Sequence, residues 1–71
     1  MKLPFNCEII ETEPTYVQNE FTGKGCKLEP EALAVYDTIK GAEMLGITSI
    51  MRKGIDWFIK HYPNEYMTLL N

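Results

Sequence analysis

The sequence lacks a long apolar run, a basic patch and any recognisable set of catalytic or metal-binding residues. Each absence excludes something. Without a stretch of about 18 apolar residues, nothing in the chain is expected to cross a membrane. Pro4, Asn6 and Glu8 interrupt the N-terminus where a secretion signal needs an apolar core, so no such signal is read. A cytoplasmic setting follows as the expectation, with Cys7 and Cys26 as free thiols, although nothing forbids a bridge between them. Two distant cysteines and the single histidine, His61, are too few for a metal site. Seven basic residues against ten acidic ones leave a net charge of −3, and the only adjacent basic pair is Arg52-Lys53. Nucleic acid is therefore a disfavoured partner.

Catalytic chemistry is equally poorly supplied. Asp37 and Glu43 stand six residues apart, on roughly opposite sides of a helix, and cannot share a proton or a metal. Neither cysteine has a basic neighbour fixed by spacing to lower its pKa. His61 falls near a helix C-terminus, where the helix dipole gives it a structural reading. Gly23-Lys24-Gly25 lacks the spacing of a phosphate-binding loop. The expectation is a protein that is not an enzyme and uses no cofactor.

What the chain does have is 45% hydrophobic residues within 71 positions, enough for one small folded domain. A chain of this length buries only about 60% of the surface that its unfolded form exposes. The acidic excess lies wholly in residues 1–23, where Lys2 faces Glu8, Glu11, Glu13 and Glu20.

Residues 1–27 show short apolar bursts with no helical period. Residues 7–11 (CEIIE) and 15–22 (TYVQNEFT) are read as strands around a turn at Thr12-Glu13-Pro14-Thr15, with GKG at 23–25 as a hinge. The alternative is an extended arm that orders only on a partner. Residues 28–71 read as a small helical domain. Pro30 suits the first position of a helix and Glu31 its first turn, while Glu29 is a poor cap. Ala32, Val35, Tyr36, Ile39 and Ala42 recur at steps of three and four, and Gly46 suits a helix end. Gly41 costs that helix about 1 kcal/mol relative to alanine. Its simpler explanation is close approach by another element; the other is a docking notch.

Thr48 is expected to cap a second helix whose apolar face runs through Ile47, Ile50, Met51, Gly54, Ile55, Phe58, Ile59 and Tyr62. Pro63 ends it and opens a short third segment, PNEYMTLL. The fold class is mainly α: an antiparallel helical hairpin near 30–45 and 49–62, a short helix near 64–70, and an extended or β-hairpin arm.

LEPEALAVYDTIKGAE, GIDWF and YPNEYMTLLN resemble small bacteriophage-encoded proteins that end in a P-x-E-Y-M-x-L-L motif. The resemblance covers about the last 44 residues. Glu29 departs from it, standing where Thr or Ser is usual, and so does Asn71, where Asp is usual. It implies phage origin and a host-cytoplasmic setting, and it implies no activity.

A binding protein remains as the leading expectation. The acidic arm, with Glu11, Tyr16 and Phe21, suits a basic and apolar groove on a protein partner, such as a host factor. On the second helix Trp57 lies off the apolar stripe, beside Arg52 and Lys53. Either the arm or the last helix covers its indole, or the indole is an exposed anchor and joins the candidate site. Uncovered apolar surface on so small a domain also favours a homo-oligomer. The alternatives are a nucleic-acid-associated accessory protein using Arg52, Lys53 and Lys60, and an oligomer that sequesters a small molecule.

Overall fold

The computed structural model describes residues 2–70; Asn71 lies outside them. Among the described residues the order is β1 (Thr15–Gln18), β2 (Gly25–Leu28), α1 (Pro30–Leu45), α2 (Thr48–His61) and α3 (Pro63–Leu69). The chain is thus three helices preceded by a two-stranded antiparallel hairpin.

The hairpin differs from the expected one. Residues 7–11 form no strand; β1 pairs with β2, placing Thr15 opposite Leu28 and Gln18 opposite Gly25. The strand expected over 15–22 stops at Gln18, and the next six residues make the turn. Asn19 N–H donates to Lys24 C=O at 2.7 Å, and Gly23 N–H donates to Asn19 C=O at 2.9 Å. Gly23 takes a left-handed φ of 78°, which a side chain would resist. GKG is therefore not a hinge before the helices but the end of the turn and the start of β2. Tyr16 lies diagonally across from Gly25, where any Cβ would collide with the tyrosine ring.

Strand β2 crosses the expected division at residues 27 and 28. Leu28 is fully buried, and Val17 and Cys26 rest against the same core. Leu3 and Phe5 pack there too. The radius of gyration of 11.2 Å equals the roughly 11 Å expected of a packed chain of this length, so the N-terminal third lies against the helices.

Helix α1 follows its sequence. Ala32, Val35, Tyr36, Ile39 and Ala42 are all buried. Pro30 opens it, and Glu29 contributes no side-chain cap. At the other end Gly46 takes φ 74°, while Ile47 N–H reaches back to Ala42 C=O at 2.9 Å and Gly46 N–H to Glu43 C=O at 3.3 Å, a Schellman closure. Only Gly46 and Ile47 separate α1 from α2. Thr48 is the first residue of α2 rather than its cap; Ile47 occupies the cap position and supplies no side-chain bond.

Close approach occurs at a different glycine from the one expected. A Cβ at Gly41 would meet nothing within 4 Å. A Cβ at Gly54 would run into Ile39 Cγ1 and lie 2.7 Å from Ile39 Cδ1. Gly54 is thus where α2 seats on α1. Phe58 completes that contact with no exposure, whereas Ile59, expected on the buried face, is 47% exposed. Tyr62 ends α2 and Pro63 starts α3. The Tyr62 hydroxyl donates to Glu31 Oε1 at 2.8 Å, tying the end of α2 to the first turn of α1. Burial first, then the neighbouring Glu31, raise the Tyr62 phenol well above its ordinary pKa.

Candidate functional site: an apolar cleft beside the hairpin turn

The turn stands next to the C-terminal half of α1, and a cleft of about 520 Å³ separates them. Phe21 and Glu20 form one wall, Tyr36, Lys40, Glu43 and Met44 the other, and Leu69 of α3 closes one end. Phe21 is 92% exposed and Met44 88% exposed, whereas Tyr36 and Leu69 are buried. Two exposed apolar side chains, Phe21 and Met44, therefore line the cleft together with the buried Tyr36 and Leu69.

Phe21 is held there by Asn19, the one buried polar residue among those described. The Asn19 side-chain oxygen accepts the Phe21 N–H at 2.9 Å. Its Nδ2 donates to Thr68 C=O at 3.1 Å. A single side chain thus fixes the turn and fastens it to α3. Gln18 Nε2 adds a bond to Gly23 C=O at 2.8 Å. On the opposite wall, Lys40 Nζ lies 3.6 Å from Glu43 and 5.7 Å from the centre of the Tyr36 ring. The cation is thus paired and partly stacked, and Glu20 is the one charged lining residue without an ion-pair partner among the described residues. The lining holds no histidine, cysteine or serine and offers no nucleophile beside a base. The arrangement can bind, and its recognition chemistry is mixed: Phe21, Tyr36, Met44 and Leu69 are apolar or aromatic, and Gln18, Asn19, Glu20, Lys40 and Glu43 are polar.

No protein-family model matches this chain, and no curated protein or solved structure matches it. No helix among the described residues is long and apolar enough to cross a membrane.

Of the six residues expected to bind a partner, only Phe21 reaches the cleft. Glu11 is exposed in an irregular stretch, Glu8–Pro14, every residue of which faces water. Tyr16 is 60% exposed on β1, with its ring laid over Gly25. Arg52 and Lys53 are exposed on α2, as are Asp56 and Lys60. At 100° per residue these four span one arc, with Asp56 between the cations. That arc is the solvent face of an amphipathic helix, neutralised in part from within.

Trp57 is a correction. It is not an exposed anchor but 7% exposed. Its Nε1 donates to Lys2 C=O at 2.8 Å, so the N-terminal segment covers the indole. Phe58, His61 and Tyr62 surround it with ring centres 5.3–5.4 Å away. Lying off the α1-facing stripe made Trp57 the core of a second contact, not a free surface. Sequence reasoning missed Asn19, Met44 and Leu69. An Asn directly after an alternating strand and four residues before a glycine was the available turn signal. The burial of Asn19 against α3 had no local signal.

Cys7 and Cys26 are free and partly buried. Burial raises both thiols above their ordinary pKa, and Glu65 raises Cys26 further.

Proposed function

We propose that this is a small non-enzymatic protein of bacteriophage origin that acts in the host cytoplasm by binding another protein, a host factor. The contact runs from the acidic stretch Glu8–Pro14 to the cleft at Phe21. The scaffold is read as an antiparallel hairpin of α1 and α2, a reading that their two-residue connection supports. One observation carries the proposal: Phe21 is 92% exposed while Asn19 holds its backbone N–H and ties the turn to α3. A solvent-facing aromatic on an anchored backbone, beside the buried Tyr36 and Leu69, is the kind of anchor that dominates protein interfaces. The partner's matching surface is a basic rim around an apolar knob or pocket.

Capture from host lysate at two salt concentrations tests this. Proteins retained by the wild type and lost by Phe21→Ala support it; identical sets from both refute it. Deleting residues 1–27 is the wrong control, because it removes β1 and most of β2 together with the site. Exposure of Arg52, Lys53 and Lys60 on one helix supports a second reading, nucleic-acid association. Retention that falls steeply with salt and survives Phe21→Ala favours it.

A further inference from the structure

Gly41 weakens α1 and has no packing reason among the described residues, since a Cβ there meets nothing within 4 Å. It lies on the floor of a second groove, about 240 Å³, lined by Thr38, Gly41, Ala42 and Leu45 of α1 with Ile47 and Ile50 from the start of α2. No charged residue lines this groove. Every residue from Glu43 to Ser49 is exposed, and among them Leu45 is 77%, Met44 88% and Ile47 39% exposed. The recess at Gly41 and the projecting Leu45 are four residues apart on one helix face.

We infer that this corner of α1 and α2 binds a second copy of the chain. Lay two α1 helices antiparallel about a two-fold axis midway between residues 41 and 45. Leu45 then faces the second copy's Gly41, and Gly41 faces the second copy's Leu45. A knob and a hole that exchange under one rotation form a self-complementary surface, which a closed symmetric dimer requires. Charge agrees: the groove is neutral, and the nearby Lys40 and Glu43 already pair with each other. The copies meet there without like-charge repulsion, although each carries −3 overall.

Area sets the strength. At roughly 100 Å² of apolar surface per large aliphatic side chain, Leu45 and Ile47 leave on the order of 100 Å² in water at the exposures given above. A standard interface has about 450 Å² of apolar surface per partner. The corner supplies about a quarter, so the dimer belongs to the weak, transient class.

The test is a dilution series of the full ¹⁵N-labelled chain by NMR, with sedimentation equilibrium on the same samples. Expected are an average mass rising above 8.2 kDa toward twice that value with concentration, and shifts confined to residues 38–50. Gly41→Met fills the recess and Leu45→Glu charges the knob. Both positions have open surroundings, so each variant keeps its dispersed spectrum while the concentration dependence disappears. A wild type that stays at monomer mass to about 1 mM overturns the inference. So do shifts that map elsewhere, or association that persists in Gly41→Met. The groove and the Phe21 cleft share no lining residue, so Phe21→Ala, which decides the binding reading, leaves this association unchanged.

Discussion

Replacing a helical glycine by alanine should have opposite effects at the two glycines of this helix pair. Alanine gains up to about 1 kcal/mol in helix propensity at either position. At Gly41 nothing opposes that gain, because the added methyl meets open space. Gly41→Ala should therefore stabilise by about 0.5–1 kcal/mol, raising Tm by roughly 2–8 °C for a domain of this size. At Gly54 the methyl runs into Ile39 Cγ1, with Cδ1 at 2.7 Å and Phe5 Cε2 at 3.3 Å. Ile39 is 1% exposed and β-branched, so it has little room and few rotamers with which to yield. Overpacking of this kind costs about 1–3 kcal/mol. After the propensity gain, Gly54→Ala should lose about 1 kcal/mol, leaving the two variants about 2 kcal/mol apart. Urea and thermal melts followed by circular dichroism at about 10 μM, a concentration at which a weak dimer is dissociated, measure both. If the two variants move stability in the same direction by similar amounts, Gly54 is not the contact between the helices and the core described above is wrong.

Other perturbations probe the remaining contacts. Asn19→Ala removes the bonds to Phe21 N–H and Thr68 C=O; at about 1 kcal/mol each, it should cost roughly 2 kcal/mol in a urea melt and also weaken partner capture. Tyr62→Phe should cost about 0.5–1.5 kcal/mol through loss of the bond to Glu31. The Tyr62 phenol is raised in the folded state, so in the unfolded chain it ionises first, near pH 10. Its contribution is complete below that pH and fades as the pH rises further. A shallower alkaline loss of stability in Tyr62→Phe confirms this, and an unchanged slope refutes it. The single Trp57 should emit at short wavelength when folded and shift to the red on unfolding, because its indole is buried; emission typical of a hydrated indole in the native state contradicts the cover provided by Lys2.

The helices were legible because their signals are local. A three-to-four residue period names the buried side of α1 wherever that side ends up, and Gly46 and Pro63 act on their own backbone. Where the period weakens, the reading weakens: Ile59 fits the stripe on α2 but is 47% exposed. The hairpin was misregistered because two short bursts of β-forming residues do not specify which segments pair. The deciding elements were the turn closed by Asn19 and Gly23, and the burial of Leu28 under the helices.

The binding face was harder still to read. Phe21 stood out as an aromatic in an acidic stretch, but its companions Met44 and Leu69 lie 23 and 48 residues away along the chain. The sequence by itself determined where helices start, stop and turn an apolar side inward, since those preferences depend on neighbours within one or two turns. Tertiary structure alone decided which apolar groups were left uncovered. That outcome depends on which segments pack against each side: residues 2–5 cover Trp57, and among the described residues none covers Phe21, Leu45 or the space beside Gly41.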